Sequence, residues 1–228
     1  FALGLVLGLQ HAMEADHVVA VTSLTRNNVS KKRAFLQGCA WGFGHSLALL
    51  ILVMLAVFNG LYISDEHASW LEFGVGVMLI ILGLKAIRAA TRERVKADSN
   101  MLMYNDSSYR IDISSSKLKK YYPRGKTPHK VLLPLLIGLV HGVAGSAALM
   151  LLLAAASLSS RAQAFFYVTV FGFGSIIGMV VLSLIFSFPV GFLKRQSILG
   201  LYILSVGVGI TAICIGLHRC FSSTEILL

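Results

Sequence analysis

Residues 11–17 read HAMEADH and place four ionisable side chains inside an otherwise apolar stretch: His11, Glu14, Asp16 and His17. Imidazole and carboxylate groups together suit first-row divalent metals such as Ni²⁺, Co²⁺ and Zn²⁺, whereas Ca²⁺ and Mg²⁺ prefer oxygen ligands and Cu⁺ prefers sulfur. An ionisable group inside a bilayer is costly unless it faces a cavity or a partner, so its presence there indicates function. The motif therefore predicts a transition-metal site.

The spacing within this motif restricts which side chains can share an ion. At about 100° per residue, His11, Glu14 and His17 lie on one face of a regular helix, and Asp16 points away from that face. Two interpretations remain open: the helix is distorted here, or Asp16 orients a histidine instead of binding the ion directly. Glu14 is a candidate ligand, a candidate orienting group or a candidate proton acceptor.

Two more histidines lie near the middle of other apolar runs. His45 belongs to the segment GFGHS, and His141 belongs to GLVHGVAGS, which holds no other ionisable side chain. Each could instead be an ordinary core histidine. The predicted metal ligands are His11, Asp16, His17 and His45, with Glu14 and His141 as further candidates. Catalytic residues and a resident cofactor are not predicted.

Long apolar runs must position these side chains. The chain has 228 residues, of which 56% are hydrophobic and only 13% are charged, and its mean hydropathy is +0.78. A soluble domain carries about twice that charged fraction, and about 20 apolar residues cross a bilayer as a helix. Six such runs are present, at approximately 1–25, 34–60, 67–90, 131–159, 162–188 and 197–218. The sequence predicts an all-α integral membrane protein with six transmembrane helices.

The distribution of positive charge predicts how the chain crosses the membrane. The formal net charge is +10, and the first, third and fifth links between the runs hold four, twelve and two basic residues, whereas only Arg161 and Arg219 lie elsewhere. This alternation follows the positive-inside rule. It favours contact with anionic lipid headgroups and argues against nucleic acid as a partner. We expect the odd links to face the cytosol or stroma, in a bacterial inner membrane or a plastid envelope or inner membrane.

The two halves of the chain resemble each other at a constant offset of 130 residues. The matching segments are 8–21 with 138–151, 41–55 with 171–185, and 71–87 with 201–217. Because each copy contains three helices, the second copy enters the membrane from the opposite side, as in many secondary transporters. The alternative is a plain six-helix bundle with accidental glycine spacing.

This repeat predicts the organisation of the chain into three parts. Residues 1–90 are the first three-helix repeat, and residues 131–228 are the second. Residues 91–130, which are rich in Ser, Lys, Tyr and Asp without an apolar period, are predicted to be a mobile cytosolic or stromal linker.

Two motifs resemble those of the nickel/cobalt transporter family. HAMEADH is similar to that family's HAxDADH signature, with Glu14 in place of the first Asp, and GFGHS resembles its second motif, a Gly-His-Ser in the next helix. The acidic LGxDTATE-type motif of the high-affinity permeases is replaced by GLVHGVAGSAALM, which is more similar to the urease-accessory membrane proteins of the same superfamily. The resemblance implies a metal-selective permease, with His11, Asp16, His17 and His45 in recognition of the ion.

We therefore expect a secondary transporter, not an enzyme, that moves Ni²⁺ or Co²⁺ through a midplane site by alternating access. Zn²⁺, Mn²⁺ and Fe²⁺ are further candidate ions. Protons are the expected coupling ion, because histidine binds metal only as the neutral ring; membrane lipid and further copies of the chain are the other expected partners. The alternative is a membrane metalloenzyme or a haem-binding protein that uses the same histidines.

Overall fold

Helices are expected throughout a membrane-embedded chain, because a helix satisfies its backbone hydrogen bonds within one segment. A computed structural model of the chain describes residues 2–25, 30–59, 64–106, 129–143, 151, 157–158 and 160–227. Across these ranges the regular structure is α-helical. The seven described helices are α1 (Ala2–His11), α2 (Ala15–Thr25), α3 (Lys31–Asn59), α4 (Asp65–Asp106), α5 (His129–Val143), α6 (Arg161–Gln196) and α7 (Ile198–Leu227).

Four helices in the described part of the chain are long and apolar enough to cross a membrane. The segments that qualify are Lys31–Asn59, Glu66–Val95, Arg161–Leu193 and Ile198–Thr224. They coincide with the second, third, fifth and sixth predicted spans. Large apolar side chains cover their outer surface; Phe43, Phe173 and Phe188 are 55%, 60% and 73% exposed. So much exposed apolar surface suits contact with lipid rather than water, and the chain is a helical membrane protein.

The remaining two predicted spans and the linker are only partly described. The span 1–25 is divided into α1 and α2 by a turn, and the span 131–159 begins with the apolar helix α5. Residues 144–150 and 152–156 of that span lie outside the described residues. Helix α4 continues through Asp106, into the segment predicted as a linker, and 107–128 lie outside the described residues. Six membrane crossings and a mobile linker therefore stay predictions.

Glycines bring pairs of helices into backbone contact. A Cβ atom on Gly8 of α1 would lie 2.1 Å from the carbonyl oxygen of Phe171 on α6. A Cβ atom on Gly138 of α5 would lie 2.2 Å from the carbonyl oxygen of Trp41 on α3. Small residues permit such close approach of helices in membranes, and here they seat α1 against α6 and α5 against α3.

These close approaches occur in matching pairs across the two halves of the chain. The contact of Gly8 with Phe171 becomes that of Gly138 with Trp41 when each partner moves by 130 residues, one forward and one back. In the same way, a Cβ atom on Gly44 would lie 2.4 Å from the Leu135 carbonyl oxygen, and one on Gly174 would lie 2.3 Å from that of Leu5. The packing of α1 on α6 thus matches that of α5 on α3.

Replacing Gly138 with alanine should destabilise the protein, because the added methyl group would collide with the Trp41 carbonyl oxygen and the helices would have to separate. We expect a loss of about 1–3 kcal/mol in the free energy of unfolding, measured as a lower Tm of the purified protein in detergent. Gly207→Ala is the matched control, since no atom lies within 4 Å of a Cβ there and alanine is favoured over glycine in a helix. Equal effects of the two substitutions would contradict the close packing.

Candidate metal site

The HAMEADH motif lies on a break between two helices. Helix α1 ends at His11, residues 12–14 form a turn, and α2 begins at Ala15. In the turn, the backbone N–H groups of Met13 and Glu14 each donate to the carbonyl oxygen three residues back, at 2.9 and 3.1 Å. The angles of a regular helix therefore do not apply across the motif. The helix is distorted here, as one of the two interpretations of the sequence required.

Three buried imidazoles meet beside this break. His11 ends α1, His17 lies in the first turn of α2, and His45 lies near the middle of α3. The Nε2 atoms of His11 and His45 are 3.1 Å apart, and the ring centroid of His17 lies 4.5 Å from that of His11 and 5.1 Å from that of His45. Each ring can offer one nitrogen such that all three nitrogens lie within 4.8 Å of one another. Nitrogens bound to one Zn²⁺-like ion at about 2.0–2.1 Å lie roughly 3 Å apart, so this trio nearly has the spacing of a metal site.

Carboxylates hold two of these rings from behind. His11 Nδ1 donates to Glu14 Oε1 at 2.9 Å, and His17 Nδ1 donates to Asp16 Oδ1 at 3.0 Å. An ionised carboxylate can only accept hydrogen bonds, so each ring carries its proton on Nδ1 and keeps a lone pair on Nε2. This is the carboxylate–histidine arrangement that orients metal-binding imidazoles in proteins. His17 Nε2 and His45 Nδ1 have no hydrogen-bond partner among the described residues.

A second group of potential ligands shares His17. Asp16 Oδ2 lies 3.4 Å from Nε2 of the buried His141 on α5, and the ring centroids of His17 and His141 are 4.3 Å apart. Asp16, His17 and His141 can each offer an atom within 4.8 Å of the others. The 3.4 Å contact lacks hydrogen-bond geometry, and both ring nitrogens of His141 are unpartnered in the described part of the chain. His141 therefore brings the second half of the chain to the cluster.

The structure brings all six predicted site residues together, and it adds two that the sequence analysis missed. Trp41 stacks near His17, with ring centroids 6.1 Å apart and planes 18° apart. Arg219 Nη2 lies 3.4 Å from Asp16 Oδ2. Trp41 stands four residues before His45, and this one-turn spacing on α3 could have indicated that they share a face. For Arg219, which is 203 residues from Asp16, the sequence holds no comparable signal.

Comparison with known proteins gives one informative match. The chain is 33% identical to the urease accessory protein UreH of Bacillus sp. (strain TB-90) over 187 residues, which cover 82% of this chain and 75% of the relative. The chain belongs to the UreH family. Its sequence matches no family model, and it has no match among solved structures.

Membership of the UreH family bears on two predictions. The interpretation that GLVHGVAGSAALM places the chain with urease-accessory membrane proteins is confirmed, whereas its place within the wider nickel/cobalt transporter superfamily stays a prediction. The UreH protein is described as an accessory protein and not as an enzyme, which agrees with the expectation of a non-enzymatic role.

Proposed function

We propose that this chain is a permease that moves a divalent transition-metal ion, Ni²⁺ or Co²⁺ foremost, across a membrane. The observation that carries the proposal is the convergence of three buried imidazoles, His11, His17 and His45, beside a helix break. Clustered ionisable groups among membrane-spanning helices are functional by default, because a purely structural core would be apolar. Asp16 and His141 extend the same cluster.

The donor atoms favour a transition metal over other cations. The first group offers three imidazole nitrogens and no oxygen, a set that suits Ni²⁺, Co²⁺ and Zn²⁺ and is unsuited to Ca²⁺ or Mg²⁺. Glu14 and Asp16 then act mainly by fixing the ring orientations of His11 and His17. The likeness to a urease accessory protein favours nickel among these ions.

The matched helix packing supports transport by alternating access. The contacts of α1 with α6 and of α5 with α3 repeat at the offset of 130 residues, as expected if two three-helix halves of opposite orientation face each other across the site. His11, Asp16, His17 and His45 belong to the first half and His141 to the second. Rocking of one half against the other would expose the ion to each side in turn.

The proposal is tested by metal uptake into proteoliposomes that contain the purified full chain. We expect accumulation of Ni²⁺ or Co²⁺ in the presence of a membrane potential or a proton gradient, and inhibition by an excess of a competing transition metal but not by Mg²⁺. Elemental analysis after competition among Mn²⁺, Fe²⁺, Co²⁺, Ni²⁺ and Zn²⁺ would identify the preferred ion. Vesicles that accumulate none of these ions above empty controls would overturn the proposal.

A further inference from the structure

We propose that Asp16, His17 and His141 form a second position for the transported ion, and that the guanidinium of Arg219 competes with the ion for this position. The inference rests on the proposed function and deepens it. In this arrangement Arg219 neutralises Asp16 while the position is empty, and it passes to Glu72 when a divalent ion binds.

The two oxygens of Asp16 have different environments. Oδ1 accepts hydrogen bonds from the backbone N–H and the ring Nδ1 of His17, at 2.9 and 3.0 Å. Oδ2 instead faces His141 Nε2 and Arg219 Nη2, each at 3.4 Å. One oxygen thus fixes the carboxylate to the helix break, and the other remains directed at two weakly held nitrogen groups. It is this second oxygen that a metal ion could bind.

His141 indicates a ligand at this position. Its side chain is fully buried, yet neither ring nitrogen has a hydrogen-bond partner among the described residues. A buried polar atom without a partner is destabilising by about 1–3 kcal/mol, so a fully enclosed ring with two such atoms implies a group that binds there. A divalent ion held by Asp16 Oδ2 and a ring nitrogen of His141 would satisfy one of them, and His17 lies within reach of both groups.

Arg219 connects this position to the protein surface. Its Nη1 atom lies 3.8 Å from Glu72 Oε1 while its Nη2 atom approaches Asp16. The Arg219 and Glu72 side chains are 28% and 30% exposed, whereas that of Asp16 is 6% exposed. The guanidinium therefore stands between a buried carboxylate and an accessible one, and a small movement would transfer it from the first to the second.

Electrostatics makes the two cations exclude each other. Arginine stays charged at every physiological pH, and like charges about 4 Å apart repel strongly in a poorly screened interior. A divalent ion on Asp16 Oδ2 would displace the guanidinium, and Glu72 would receive it. Because both groups of ligands contain His17, an ion could then pass between the two positions through an exchange at that residue.

The decisive comparison is between two substitutions at opposite ends of the same ion pair. Arg219→Gln removes the competing cation, so Ni²⁺ should bind the purified full chain about tenfold more tightly. Glu72→Gln removes the alternative acceptor and leaves Arg219 on Asp16, so Ni²⁺ should bind several-fold more weakly. If Arg219 and Glu72 only stabilised the fold, both substitutions would change the affinity in the same direction.

The double variant tests whether Glu72 acts through Arg219. In the Arg219→Gln background, Glu72→Gln should cause no further weakening, because the guanidinium that it relocates is gone. Arg161→Gln and Glu66→Gln are the matched controls: they make the same charge changes at Arg161, which contacts Phe58, and at the exposed Glu66. Neither should change the affinity more than about twofold.

Each result has a distinct meaning for the two proposals. Opposite shifts for Arg219→Gln and Glu72→Gln, with inert controls, support the inference. Weaker or unchanged binding in Arg219→Gln, while the wild-type chain binds Ni²⁺, overturns the inference and leaves the permease proposal standing. If Arg219→Gln does not fold, Glu72→Gln decides the matter, since unweakened binding in that variant also overturns the inference. A wild-type chain that binds no transition metal would remove the proposed function itself.

Discussion

Replacing His17 with alanine should weaken Ni²⁺ binding by about a hundredfold or more and abolish uptake into vesicles. His17 is the one residue common to both groups of potential ligands, so its loss leaves at most two donors in each. Losing even a group that only orients a metal ligand reduces affinity about 10- to 100-fold, and loss of a shared ligand should exceed that. His45→Ala should be milder for binding, because it removes a donor from the first group alone.

The control must separate lost ligation from lost packing, because His17 is only 1% exposed. His17→Asn keeps a buried polar side chain and should lose binding as the alanine variant does. His67→Ala removes an exposed histidine at the start of α4 and should bind as wild type. The Tm of each protein in the absence of metal reports folding separately. Normal Ni²⁺ affinity in a folded His17→Ala protein would exclude His17 from the site.

The sequence was most informative about the elements that cross the membrane and the polar residues within them. Four predicted spans coincide with long apolar helices, because the exclusion of water from a bilayer ties hydropathy directly to structure. The six candidate site residues were identified from the same contrast between polar type and apolar surroundings. Their common location followed because ionisable groups in lipid are stable only beside one another or beside a ligand.

The parts that the sequence did not predict depend on backbone detail and distant contacts. A regular helix directs Asp16 away from His11 and His17, but the turn at 12–14 brings it beside His17 and His141. Nothing in the motif specifies whether a polar segment breaks a helix or stays within it. Arg219 was assigned to the tail by its charge alone, because its partner lies in another helix far along the chain.

Acid should release the ion. Each neutral imidazole that serves as a ligand must be lost to a proton before the ion departs, so binding and protonation oppose each other. Free imidazole takes up a proton at a pH of about 6.5, and below this value each participating ring should weaken binding by about tenfold per pH unit. With two or three rings, Ni²⁺ binding at a pH of about 5.5 should be about a hundredfold weaker than at a pH of about 7.5.

The slope of this pH dependence identifies which groups bind the ion. A site built from carboxylates would keep its affinity down to a pH of about 5, since Asp and Glu take up protons only near 4. Affinity should be measured at several pH values for the wild-type chain and for His45→Ala, which removes one ring from the first group and should flatten the slope by about one proton. His67→Ala should leave the slope unchanged. An affinity that does not vary between these pH values would exclude the histidines as ligands, and it would also remove the means by which a proton gradient could drive release of the ion.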